Sequence, residues 1–214
     1  MNKNTTKILK ILKETYPEAK TALKHENPLQ LLVATILSAQ CTDERVNKVT
    51  PVLFKKYKTA EDFASSNIEE LKNVIRSTGF FNQKARFIKE MAQKLIKDFK
   101  GCVPDTMENL IKLPGVARKT ANVVLGYAFS KTEGIVVDTH VKRVSFRLGF
   151  TDKKEADSIE KDLMNIFSKE EWIFLSQALI WHGRSLCKAR KPACEKCPLF
   201  EWCPSGVTFV KSEQ

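Results

Sequence analysis

A chain of 214 residues with 43% apolar and 29% charged residues, and only 8 Gly and 8 Pro, has the make-up of one large globular domain or two small ones, and argues against a long disordered tail. Its longest apolar runs, 31–37 and 123–129, fall far below the roughly 18 residues of a membrane span. Lys and Arg total 36 against 25 Asp and Glu, so the formal charge of +11 favours polyanionic partners, nucleic acid foremost, although a lysine-rich surface also serves plain solubility.

The first residues, 1–15, are lysine-rich and lack the apolar stretch and small-residue cleavage site of a secretory signal. Ile8, Leu9, Ile11 and Leu12 instead mark a short amphipathic helix. Pro28 opens a stripe through Leu29, Leu31, Leu32, Val33, Ile36 and Leu37, with Asn27 placed as N-cap. Thr42 or Asp43 caps the next helix, whose inward residues are Val46, Val49, Val52 and Leu53; Pro51 sits inside it, where the missing N–H favours a bend. Ile68, Leu71, Val74 and Ile75 form a stripe stopped by Gly79. Asn82 or Gln83 then begins a long helix through Phe87, Ile88, Met91, Leu95 and Ile96, ended near Gly101. Asp105 with Glu108 resembles a capping box for a helix running to Lys112. Further helices carry Ala121, Val124, Leu125 and Phe129, follow Val136 to His140 as far as Gly149, run from Asp152 or Asp157 to Phe167, and from Trp172 to Trp181. Only 134–137 looks strand-like. Many helices of about three turns joined by short links predict an all-α architecture.

Between two of these helices lies Leu113-Pro114-Gly115-Val116-Ala117-Arg118-Lys119-Thr120-Ala121. Pro114 ends the first helix and Gly115 permits a backbone that other residues resist. The second helix then begins with amides lacking helical partners, and these, with the positive end of its dipole, suit a phosphate without reading any base. Arg118 and Lys119 add charge. A lysine in a helix's first turn feels positive potential and, if also desolvated, should lose pKa and leave some neutral amine able to attack. A plain Pro-Gly turn between helices is the alternative reading of this stretch by itself.

Nineteen residues beyond Lys119, Ile135-Val136-Val137-Asp138-Thr139-His140-Val141-Lys142-Arg143 sets an acid at the start of another helix. By spacing alone Asp138 is as readily an N-cap as a catalytic group. His140 is read either as a phosphate contact or as a histidine bonded within its own helix. His25 and His182 receive no role.

Of six cysteines, Cys41 and Cys102 are isolated, while Cys187, Cys194, Cys197 and Cys203 crowd into 17 residues, stiffened by Pro192, Pro198 and Pro204. That crowding favours a metal site over disulfides. Four soft ligands suit zinc or iron–sulfur, and the spacing does not separate the two. Lys188, Arg190 and Lys191 lie between the first two cysteines, on a loop that either presses against DNA phosphate or simply solvates the cluster region.

Three signatures in order, the hairpin running on into Thr120-Ala121-Asn122-Val123-Val124, the Val137-Asp138-Thr139-His140 stretch, and the cysteine loop preceded by His182-Gly183-Arg184, resemble the endonuclease III family of helix-hairpin-helix DNA glycosylases. The resemblance covers nearly the whole chain from Gln40-Cys41-Thr42-Asp43 onward. It implies two helical domains with a DNA-binding cleft between them: a six-helix unit over 22–131, and a smaller one built from 1–21 plus 132–214 that carries a [4Fe–4S] cluster on Cys187, Cys194, Cys197 and Cys203. It further implies removal of an oxidised pyrimidine from duplex DNA, then strand cleavage through a Schiff base on Lys119 with Asp138 assisting. Gly115, Ala117, Arg118, His140 and Arg184 would contact DNA, as would Lys188, Arg190 and Lys191. Gln40 and Phe80 would fill the gap left by a flipped base; Phe80 stands where relatives often have Leu, and the alternative is a core-facing phenylalanine. The family usually has Gly where this sequence has Ala117, and Ala resists a left-handed backbone. A monomer is expected, cytoplasmic and nucleoid-associated if prokaryotic. Other readings are a mismatch-specific adenine or thymine glycosylase, which typically lacks lysine at the position of Lys119, and a noncatalytic DNA-binding or redox-sensing protein.

Overall fold

The computed structural model describes residues 4–211, and among these every regular element is helical. In chain order the helices are α1 (Thr5–Thr15), α2 (Pro28–Leu37), α3 (Asp43–Lys56), α4 (Ala60–Ser65), α5 (Ile68–Ile75), α6 (Phe81–Phe99), α7 (Met107–Leu110), α8 (Arg118–Phe129), α9 (Thr139–Arg147), α10 (Ala156–Ile166), α11 (Trp172–Ser185) and α12 (Gly206–Lys211). Single 3-10 turns occur at Arg76–Thr78, Lys169–Glu171, Cys194–Lys196 and Phe200–Trp202. The chain divides into two compact units, residues 21–133 and residues up to 20 together with those from 134 on.

In the 21–133 unit, α6 packs against α4, α5 and α2, and α8 lies on α2 and α7. Leu31, Leu32, Leu53, Phe63, Ile88 and Met91 are fully enclosed there, each contributing about 1.5–3 kcal/mol of hydrophobic stabilisation. Local chemistry starts the helices: the Asn27 side chain accepts from the Gln30 amide and Thr42 from that of Arg45. Helix α4, which periodicity alone missed because it is under two turns long, is held by a reciprocal capping box between Thr59 and Asp62.

Four local expectations are corrected. Val52 points to solvent, and the fourth buried position of α3 is Thr50, since 46, 49, 50 and 53 share one helical face; α3 runs on across Pro51 to Lys56. The Asp105–Glu108 capping box does not form: Thr106 is the N-cap of α7 without a side-chain bond, and the Asp105 carboxylate pairs with Lys131. The long sixth helix starts at Phe81, one residue before Asn82. Residues 134–137 are not a strand; the segment is an irregular link whose Val136 carbonyl accepts from Ser176 Oγ at 2.9 Å.

In the other unit, α9 packs on α11, and α1 and α10 flank them. Its core holds Ile8, Leu12, Val144, Phe150, Leu163 and Leu175. Ile8 and Leu12 of α1 are fully buried there, as the spacing of that helix predicts.

Candidate functional site

The hairpin turn is built around Gly115, whose φ of +76° is left-handed. A Cβ there would also stand 2.9 Å from Phe87 Cβ, so glycine is required twice over, for conformation and for space. Val116 N closes the turn on Leu113 O at 3.1 Å. Ala117 is the N-cap of α8 with φ −87° and ψ 168°, an extended conformation any residue adopts. The usual glycine is therefore not needed at this position, because the left-handed step is taken two residues earlier. The first helical bond of α8 runs from Ala121 N to Ala117 O, and no side chain caps the end. The amides that precede Ala121 thus lie outside the helical ladder, as anion binding requires. Gly115, Ala117, Arg118 and Lys119 are all exposed around this end, and Arg118 Nη2 reaches Glu133 O at 3.4 Å.

Gln40 and Phe80 belong to the same unit. Gln40, just past α2, and Phe80, at the head of α6, both hold left-handed backbone, with φ of 51° and 48°. Phe80 is 62% exposed, so it is not the core residue that its composition allows.

In the second unit, Asp138 is the N-cap of α9. Its Oδ1 accepts from the His140 and Val141 amides, both at 2.8 Å, which leaves Oδ2 for another partner. His140 Nδ1 lies 3.2 Å from Arg143 Nη2, and the Gly183 backbone is a second hydrogen-bond partner of the ring. Burial lowers the His140 pKa. The contact within its own helix is therefore present. Arg143 also donates to Cys187 O at 3.1 Å and Gly183 O at 2.9 Å. Gly183 has its own reason: a Cβ there would meet His140 Cβ at 2.9 Å, so the glycine of His182-Gly183-Arg184 lets α11 close on α9.

Cys187, Cys194, Cys197 and Cys203 line one pocket of about 400 Å³ of empty space, its mouth included. All six cysteines are free of disulfides. Among the described residues no three His, Cys, Asp or Glu side chains converge closely enough to hold a single metal ion, whereas four cysteines ring one pocket. A ring of thiolates suits a many-atom group, with a ligand at each corner, better than one zinc ion. Burial pushes the Cys197 thiol up to about 11 and raises that of Cys203 as well, so these sulfurs ionise when a metal supplies the positive charge that solvent does not.

Residues that sequence reasoning passed over surround the pocket. Arg147 Nη1 donates to Cys187 Sγ at 3.3 Å and to Lys188 O at 2.7 Å, while its Nη2 reaches Ala189 O at 3.1 Å. His182 is buried with Nε2 3.6 Å from Cys197 Sγ and Nδ1 3.0 Å from the Tyr16 hydroxyl, and burial alone takes its pKa down to about 4. His182 and Arg143 stand inside quoted signatures without a role of their own, and no local motif marks Tyr16 or Arg147. Lys188, Arg190, Lys191 and Arg184 are exposed.

Residues 33–169 match the HhH-GPD superfamily of base excision DNA repair proteins, and residues 187–203 match the iron–sulfur binding domain of endonuclease III. An endonuclease III of Synechocystis is 53% identical over 201 residues, 94% of this chain and 92% of that protein. A solved noncovalent endonuclease III–DNA complex superposes with a TM-score of 0.93 at 44% identity, covering 99% of each chain. A trapped endonuclease III–DNA covalent intermediate gives a TM-score of 0.92 at 45% identity, covering 98% of this chain and 99% of that one. Fold and hairpin together define a base excision repair DNA glycosylase. The chain belongs to the endonuclease III family, in which base removal is coupled to lyase cleavage at the abasic site, and its cofactor is a [4Fe–4S] cluster. Among the described residues no helix is long and apolar enough to cross a membrane.

Proposed function

We propose that this enzyme removes oxidised pyrimidines from duplex DNA and cuts the strand through Lys119. The observation that carries the reading is an exposed amine one residue into α8, beside a turn whose left-handed Gly115 frees the helix end for a phosphate. The Lys119 nitrogen forms a bond to the sugar's anomeric carbon as the bond to the damaged base breaks, and the base leaves with the electron pair and a proton. Ring opening gives a Schiff base; loss of a proton from the neighbouring carbon then expels the 3′ phosphate. Asp138, with Oδ2 uncommitted, takes a proton from the lysine ammonium or stabilises the oxocarbenium-like sugar. Gln40 and Phe80 fill the vacated stack, and Gly115, Ala117 and Arg118 hold a phosphate, with His140, Arg184, Lys188, Arg190 and Lys191 as further contacts.

Cys187, Cys194, Cys197 and Cys203 are the four ligands of the cluster, which supplies a folding anchor and a redox-capable centre when bound. Residues 22–131 act as the hairpin domain and 1–21 with 132–214 as the cluster domain, in a monomer that works on chromosomal DNA, in the cytoplasm if the source is prokaryotic. Borohydride trapping on a duplex containing one oxidised pyrimidine tests the chemistry. The wild-type chain yields a covalent adduct, and Lys119→Gln yields none while keeping duplex affinity within about threefold, a loss of no more than about 0.7 kcal/mol. An adduct formed by Lys119→Gln would remove the lysine from its role.

A further inference from the structure

Lys84 is a cation in an unusual place. It is 4% exposed, on the inner face of α6, and among the described residues it forms no ion pair. Its Nζ donates instead to Leu37 O at 2.7 Å and Thr78 O at 2.8 Å. Leu37 is the last residue of α2 and Thr78 the last of the 3-10 turn before α6. Carbonyls at helix C-termini carry partial negative charge, so two helix ends take the place of a carboxylate. An apolar side chain would fill the same space without the desolvation penalty of a buried ammonium. What the ammonium alone does is bind together two loops distant in sequence. Gln40 lies three residues beyond one of these carbonyls and Phe80 two beyond the other. Both tips stand in left-handed backbone that a side chain disfavours, and such conformations persist only where the surroundings over-determine them.

We propose that Lys84 is a positioning residue for base extrusion: its ammonium ties the Leu37–Gln40 loop and the Thr78–Phe80 turn into one rigid piece, so that the two tips enter the duplex as a unit. The inference rests on the reading that Gln40 and Phe80 occupy the space of the extruded base. Lys84 acts through those residues and touches no reacting atom itself.

Lys84→Met keeps an unbranched apolar stem and removes the charge. Excision of an intact oxidised base under single-turnover conditions should slow on the order of tenfold, because the extruding tips lose their fixed spacing. Trapping at a preformed abasic site, where there is no base to extrude, should change by less than about threefold. A fluorescent base analogue beside the lesion should show reduced unstacking. Gln40→Ala and Phe80→Ala, non-additive in the wild-type background, should become additive in Lys84→Met. Wild-type excision by a Lys84→Met protein that retains its iron absorbance overturns the proposal. Should that variant not fold, Lys84→Gln, with a donor on a shorter stem, should give a partial loss of excision. Native-state hydrogen exchange on the unmodified enzyme tests the strut independently: the Cys41 and Gln83 amides, bonded to Ser38 O and Phe80 O, should open with one shared denaturant dependence. Separate openings refute the strut. If instead Gln40→Ala and Phe80→Ala both leave excision untouched, it is the role of the tips that fails, while exchange still judges Lys84.

Discussion

Replacing Gly115 by Ala isolates the physical basis of the hairpin, because the structure assigns that glycine two separate demands of the same sign. At φ +76° an alanine meets the left-handed penalty of about 1–2 kcal/mol. Its Cβ would also sit 2.9 Å from Phe87 Cβ, an atom fixed to the α6 backbone that no rotamer change carries away, and 3.0 Å from Phe87 Cγ. Overpacking of this kind costs about 1–3 kcal/mol, so Gly115→Ala should lose about 2–5 kcal/mol of stability in the 21–133 unit. Ala117→Gly is the paired control. Ala117 is already extended, so glycine there relieves no strain and only adds unfolded-state freedom, at about 0.4–1 kcal/mol. Urea unfolding followed by circular dichroism gives the two stabilities, and duplex affinity measured across a salt series reports the phosphate site. Gly115→Ala should weaken duplex binding, and Ala117→Gly should leave it within about twofold. A Gly115→Ala protein within about 0.5 kcal/mol of wild type, or an Ala117→Gly protein with sharply tighter binding, would show that the left-handed step has been assigned to the wrong residue.

The cluster loop and the packing behind it give further tests. Cys197→Ser should lose iron absorbance and unfold at markedly lower temperature, with its base-excision chemistry limited by the fraction still folded; a stable, colourless, fully active variant would contradict the ligand assignment. Gly183→Ala should destabilise, since helix propensity returns at most about 1 kcal/mol while the new methyl meets His140 Cβ at 2.9 Å; calorimetry showing a higher melting temperature would refute the tight closure of α11 on α9. Burial holds the Lys84 ammonium below its ordinary pKa of 10.5. Unfolding then takes up a proton between the folded value and 10.5, so wild-type protein should gain stability over Lys84→Met as pH rises through that alkaline window and lose it again on the way down. Urea midpoints of the two proteins that stay parallel across the window would show that the amine is not desolvated.

The candidate site positions stand out in the linear sequence because each depends on a short stretch of chain. Leu113 to Ala121 codes its own turn through Pro114 and Gly115, Asp138 caps the helix it begins, and four cysteines within one loop need no distant partner to be noticed. Helix starts at Asn27 and Thr42 were readable for the same reason: a side-chain oxygen bonds an amide three residues away. Where two local solutions compete, the sequence alone failed. Asp105 had a capping box within reach, yet Lys131 from beyond α8 takes its carboxylate, and the buried face of α3 passes through Thr50 while Val52 faces water.

Tertiary structure alone decided which polar groups meet. Arg143 and Arg147 look like ordinary surface charges of a basic helix until α9 lies on α11 and brings their guanidinium groups to Cys187 and its loop carbonyls. His182 and Tyr16 find each other across a separation of 166 residues. Lys84, one turn before Ile88 on the apolar face of α6, finds its acceptors only when the ends of α2 and the 3-10 turn come to it. The physical reason is the range of the forces involved: backbone conformation and capping are settled within one helical turn, whereas a buried charge is tolerated only where folding delivers partners that the neighbouring sequence does not contain.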